Sequence, residues 1–183
     1  MNKFVHIIAF TILVIFIVNG PKDVSAEIVV VHADQAWQMT DIILKKNHII
    51  NWEVKEDDYW SFNSTMFPDG HTADGIPVPA LESYSLPGEN IGMLLGKIND
   101  DMVLSMGLSG SAYVLPGDEG NYLYLSMNDD LIGKFGEGFR DNSDEITVTI
   151  TQTPRNIVNI GVFVIDGSPD LSSITDNIQE VID

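Results

Sequence analysis

The sequence predicts an all-β domain, an antiparallel β-sandwich or jelly roll. Three observations carry this. Apolar residues recur in short runs, and the clearest runs alternate with polar residues at a period of two. Pro, Gly, Asn and Asp punctuate these runs with turns. Only residues 170–182 have the makings of a helix, and a short one.

The runs follow in order. Glu27–Val31 is β-branched. Thr40–Leu44 and His48–Val54 are two short apolar stretches separated by Lys45-Lys46-Asn47, the spacing of a hairpin. Gly92–Ile98 ends at the turn Asn99-Asp100-Asp101, and Ala112–Leu115 ends at Pro116-Gly117-Asp118. Tyr122, Tyr124 and Ser126 alternate with Leu123, Leu125 and Met127. Ile146, Val148 and Ile150 alternate with Thr147, Thr149 and Thr151. Val158–Ile165 is a last apolar run. Regular short strands with Pro/Gly turns favour two packed antiparallel layers.

The N-terminus reads as a secretory signal peptide over residues 1–26. Lys3 opens it, Phe4–Val18 is nearly all apolar, and Val24-Ser25-Ala26 precedes a cut at Glu27. That apolar core is shorter than the ~20 residues a membrane-spanning helix needs. The expected localisation is therefore secreted or periplasmic, with no membrane span after cleavage. Removing the segment takes two Lys and one Asp and changes the net charge from −18 to −19. A remaining chain of this size buries roughly 68–70% of its extended surface, enough for a core.

Composition excludes several functions. The 183 residues include no Cys, which rules out disulfide staples, thiol catalysis and Cys-ligated zinc. A cysteine-free exported protein also fits a bacterial secretome. With 9 Lys+Arg against 27 Asp+Glu, nucleic-acid binding through an electropositive face is not expected. No enzyme is expected. Gly107-Leu108-Ser109-Gly110-Ser111 fails the Gly-x-Ser-x-Gly pattern at its fifth position. No His pair has zinc-site spacing.

Two stretches do not read as strands. Phe62–Asn90 is long and proline-bearing, and long ordered loops usually carry function. It contains Pro68-Asp69-Gly70-His71-Thr72-Ala73-Asp74-Gly75, flanked by Tyr59, Trp60, Phe62 and Phe67. A His beside acids in such a loop suits a ligand hydroxyl or a metal, or is simply a turn histidine. Asn128–Glu145 is rich in Asp, Asn and Gly. Asn128-Asp129-Asp130 enters it and Asp141-Asn142-Ser143-Asp144 leaves it. Calcium takes about six to eight oxygens from carboxylates, amides and carbonyls, which this loop could supply. The alternative is that these residues are turn formers at strand ends. Asn63-Ser64-Thr65 is a glycosylation sequon, relevant only in a eukaryotic host.

From Val29 to Ile150 these pieces resemble the PA-IL-like, calcium-dependent galactose-binding bacterial lectins. Four pieces occur in the family's order. They are Gln38-Met39-Thr40-Asp41-Ile42-Ile43, Pro68-Asp69-Gly70-His71 with Gly75, Ile91–Ile98, and Asn128-Asp129 with Asp141-Asn142-Ser143. The resemblance implies a galactose-binding-domain-like jelly roll over residues 27–151 with one Ca²⁺. The side chains of Asp129, Asp141 and Asn142 would hold it, with backbone carbonyls from Lys134 and the corner at Trp60. Two sugar hydroxyls would complete the shell, so Asp129, Asn142 and Trp60 would also border the sugar. His71 and Asp74 would hydrogen-bond the rest of it.

The chain departs from the family pattern at several points. Lys55-Glu56-Asp57-Asp58 stands where the family has glycine and small residues. Asp74 and Asp141 each stand for an amide, and Asp144 stands for a glycine. The calcium loop is longer around residues 137–140. Residues 152–183 have no counterpart, and are expected to add a strand and a short helix. The expectation is a secreted carbohydrate-binding lectin with galactosides as leading ligand, and with oligomerisation supplying avidity. The alternative is a calcium-stabilised structural or adhesion sandwich without sugar binding.

Overall fold

The computed structural model describes residues 25–99, 102–134 and 136–155. The expected signal peptide up to residue 24, the strand at 158–165 and the helix at 170–182 lie outside them. Among the described residues no helix is long and apolar enough to cross a membrane.

Among the described residues ten strands form, in the order β1 Ser25–His32, β2 Gln38–Ile43, β3 His48–Val54, β4 Ile76–Pro79, β5 Asn90–Ile91, β6 Leu94–Asn99, β7 Met102–Ser105, β8 Ser109–Tyr113, β9 Tyr122–Met127 and β10 Glu145–Pro154. One four-stranded sheet has the order β1-β10-β3-β8 and a second has β2-β9-β6-β7; β4 and β5 form a small ribbon. All pairings are antiparallel. The protein is an all-β sandwich.

The period-two pattern explains the layers. In β10 the buried residues are Ile146, Val148, Ile150 and Gln152, with threonines between them. In β3 they are Ile50, Trp52 and Val54; in β9 they include Leu123, Leu125 and Met127. Side chains alternate across a strand, so each sheet presents one apolar face. The two faces close on a single core that also takes in Ile42, Leu94 and Ile98.

The hairpin expected from Lys45-Lys46-Asn47 does not form. β2 pairs with β9 while β3 pairs with β10 and β8, so the link crosses from one sheet to the other. Hydrogen bonds pin the crossing. Leu44 N–H donates to Asn121 O at 2.9 Å, and Lys45 N–H to Gln152 Oε1 at 3.1 Å. Gln152 Nε2 donates back to Ile43 O at 3.0 Å. Crossing lets Ile42 and Leu44 face Ile50 and Trp52 across the core, where a hairpin would have set them side by side in one sheet.

β4, β5 and β7 had no sequence signal, and the run Ala112–Leu115 overlaps only the end of β8. β8 is largely exposed and reads Ser-Gly-Ser-Ala-Tyr. It pairs on β3 because Gly110, opposite Trp52, leaves room for the indole; a Cβ there would lie 2.4 Å from the ring. The Trp52 Nε1–H donates to Met106 O at 3.0 Å, which fixes the ring. Gly110→Ala is therefore expected to destabilise the fold by about 1–3 kcal/mol, the cost of overpacking, measured by urea denaturation.

Candidate functional site

β9 ends by delivering Asn128, Asp129 and Asp130 to one end of the sandwich, all three buried. Two segments close around them. On one side residues 83–90 of the long loop run along the acidic stretch. Asn128 Oδ1 accepts from Leu86 N–H at 2.9 Å, and its Nδ2 donates to Leu86 O and Asn90 O, both at 3.0 Å. Ser85 N–H donates to Asp129 O at 3.1 Å, and Tyr84 bridges to Asp130. On the other side Ser61 and Ser143 exchange backbone hydrogen bonds, each 3.0 Å long.

Asp129 and Asn142 meet here with unsatisfied oxygens. Asp129 is 3% exposed; its Oδ1 accepts from Asp130 N–H at 2.7 Å, while Oδ2 is buried with no donor. Asn142 is 9% exposed; its Nδ2 donates to Ala33 O at 2.9 Å, and its Oδ1 is buried with no donor. Buried polar atoms are nearly always partnered, so two orphan acceptors at one place demand a donor or a cation.

Asp141 adds a second carboxylate. Asn63 Nδ2 donates to its Oδ2 at 2.7 Å, and Ser64 N–H donates to its carbonyl at 2.9 Å. Asn63 Oδ1 in turn accepts from Thr65 and Met66 N–H, so the sequon asparagine is fully committed to this loop. Its role is tertiary, and only the sequon pattern marked it in the sequence.

Burial raises the Asp129 carboxyl to about 6; the Asp130 N–H and the Asn142 amide oppose the rise, and the charges of Asp141 and Asp130 add to it. Burial also raises the Tyr84 phenol, and the charges of Asp129, Asp130 and Asp141 push it further. The Tyr84 shift marks how far the field of the acidic cluster reaches. Among the described residues no three Asp, Glu, His or Cys side chains gather as a metal-binding group. The acceptors that share this end are the carboxylates of Asp129, Asp130 and Asp141 and the Asn142 amide oxygen, and hard oxygens of this kind are what calcium takes.

The other expected site residues are placed as follows. The Trp60 indole is fully buried, its Nε1–H donating to Gly92 O at 3.0 Å, and the Trp60 carbonyl accepts from His71 N–H at 2.8 Å. Lys134 is exposed on the loop between Asp129 and Asp141. His71 is buried under Gly92, where a Cβ would lie 2.3 Å from its ring. Its Nδ1–H donates to Thr72 O at 3.0 Å and its Nε2 accepts from Phe62 N–H at 3.4 Å. Burial lowers its pKa, and the Thr72 bond opposes this. Asp74 is exposed, yet its Oδ1 accepts from Leu108 N–H at 2.8 Å. Asp58, one of the departures, ties its turn to β10 by accepting from Thr147 N–H at 2.6 Å.

An open cleft of about 510 Å³ lies beside Asn142, where β1 ends and β10 begins, and is lined also by Tyr59, His32, Asp34 and residues 143–145. Tyr59 is the half-exposed aromatic of the corner that buries Trp60. No protein-family model matches this chain, and no curated protein matches it.

Stability without metal should depend on pH in a set direction. Asp129 has a raised pKa in the folded state, so between about pH 4 and pH 6 the folded chain holds a proton that the unfolded chain releases. In EDTA its contribution is favourable to folding below that window and is lost as pH rises through it, by up to about 3 kcal/mol. Chemical denaturation at a series of pH values reads this. Asp129→Asn removes the buried charge and supplies an NH₂ donor for the orphan oxygens. In EDTA at neutral pH it is expected to be more stable than the parent, by about 1–3 kcal/mol, with the pH slope flattened.

Proposed function

We propose that the chain is a secreted, calcium-dependent carbohydrate-binding lectin of jelly-roll architecture, with galactosides the leading ligand class. The observation that carries this reading is the pair of buried, donor-less oxygens on Asp129 and Asn142. They lie with the Asp141 carboxylate where an open cleft meets Asn142. In this reading Asp129, Asp141 and Asn142 hold Ca²⁺ by side-chain oxygens, and main-chain carbonyls of the Lys134 loop and of the Trp60 corner complete the protein's share. A bound Ca²⁺ supplies open coordination positions that vicinal hydroxyls can fill. The chain then does the rest. Asn63 holds the Asp141 carboxylate, Ala33 O turns the Asn142 amide so that Oδ1 stays available, and the buried surroundings keep water from the charged oxygens.

A second reading is a calcium-stabilised structural or adhesion sandwich without sugar binding. The engagement of His71 with Thr72 and Phe62, and of Asp74 with Leu108, favours it, because both side chains are spent on the framework. The two readings part in one experiment.

Thermal melts of the protein would be compared in EDTA, in calcium, and in calcium with galactose or with glucose. A ligand present at about 100 times its Kd stabilises the native state by about 2.7 kcal/mol. For a domain of this size that is several degrees. Both calcium and then galactose are expected to raise the midpoint, and Asp129→Ala is expected to abolish both increments. A calcium increment without any sugar increment would favour the structural reading. No response to calcium would overturn both.

A further inference from the structure

The segment that runs along the acidic stretch brings a further buried oxygen to this end. Leu131 N–H donates to Ser83 O and Ser85 N–H donates to Asp129 O, both at 3.1 Å, on the two sides of the antiparallel bridge between Tyr84 and Asp130. Residues that flank a bridged pair put their side chains on the face opposite to that of the pair. Ser83 and Asp129 are therefore diagonal neighbours on one face, roughly 7–8 Å apart. The Ser83 hydroxyl is buried and has no hydrogen-bond partner among the described residues, and neither has Asp129 Oδ2. Their needs are complementary: a hydroxyl has a proton to donate, and a carboxylate oxygen only accepts. Docking of the segment does not call on this hydroxyl. The main chain fastens it by the two bonds above, and the Asn128 side chain bonds to Leu86 and Asn90 besides. A buried hydroxyl left unbonded costs stability that an alanine would not.

We propose that Ser83 is a positioning residue of the cation site: its hydroxyl donates, through one bridging water, to Asp129 Oδ2 and holds that oxygen in place. The proposal rests on the calcium-binding reading above and adds to it a residue from the long loop. A water that joins two buried polar groups is nearly as good as a direct hydrogen bond, and the two side chains with one water span the diagonal. A carboxylate already held in its binding orientation loses less freedom when it takes up a cation, so binding is tighter. The hydroxyl is neutral. It orients the carboxylate without adding charge to an end that already holds Asp129, Asp130 and Asp141. Ser85 differs from Ser83 in its partner, because its hydroxyl donates to the main-chain Asp129 O at 3.5 Å.

The test pairs calorimetric titration with calcium alone and thermal melts in EDTA, on the full chain and on three variants. Ser83→Ala is expected to weaken calcium binding about three- to tenfold, the worth of about one hydrogen bond. Its melting midpoint in EDTA is expected to be unchanged or higher, since no made bond is lost to the framework. Ser83→Thr keeps the hydroxyl, and Ser85→Ala removes one that does not face the carboxylate. Both are expected to bind calcium within about twofold of the parent. Unchanged calcium affinity in Ser83→Ala overturns this proposal alone. So does a loss of affinity that comes with a lower midpoint in EDTA, that Ser83→Thr does not restore, or that Ser85→Ala matches, because each marks a merely structural role. Failure of the parent to bind calcium overturns it together with the calcium reading.

Discussion

Oxygen acceptors outnumber donors at one end of this sandwich, and the loops there are arranged around that imbalance. Asp129, Asp130 and Asp141 bring three carboxylates close enough to raise the Tyr84 phenol together, and Asn142 Nδ2 donates to Ala33 O. A buried carboxylate without a counter-charge is among the costlier things a fold can hold. The surrounding chain spends what donors it has: the Asp130 N–H on Asp129, the Asn63 amide on Asp141, the Ser64 and Ser85 N–H groups on the two main-chain carbonyls. Asp129 Oδ2 and Asn142 Oδ1 remain without a donor, as does the Ser83 hydroxyl on the segment alongside, and the two acceptor oxygens define the site.

The strands make this end possible by carrying the cost elsewhere. β9 and β10 are inner strands of opposite sheets, and the acidic loop connects them. Leu123, Leu125 and Met127 anchor one side of that loop in the core, and Ile146, Val148 and Ile150 anchor the other. The apolar faces hold the loop ends in place, so repulsion among the acids cannot splay them apart without opening the core.

The long loop is ordered for a different reason. It has few apolar residues to bury, and it is stitched down by polar side chains that bond to distant backbone. Asn128 bonds to Leu86 and Asn90, Trp60 to Gly92, and Asp74 to Leu108. His71 belongs to this set, held between Thr72 and Phe62 and roofed by Gly92. A residue type suited to ligand binding is here also a buried part of the framework.

Much of this was legible in the sequence. Alternation at Tyr122–Met127 and at Ile146–Thr151 determined two central strands and their inward faces, because side chains alternate across a pleat whatever the neighbours are. The enrichment of Asp and Asn at the two ends of one loop marked where acceptor oxygens would gather. What the sequence left open needs distances between residues far apart in the chain. The spacing at Lys45–Asn47 is equally compatible with a hairpin and with a crossing between sheets, and only the pairing of β2 with β9 and of β3 with β10 decides. Asn63 and Asp141 are neighbours only because Ser61 pairs with Ser143. The side chains of His71 and Asp74 have the chemistry of ligand groups, and their hydrogen bonds in the fold decide how they are used. Local pattern determines which face a residue occupies; three-dimensional proximity determines whether its polar atoms are already satisfied.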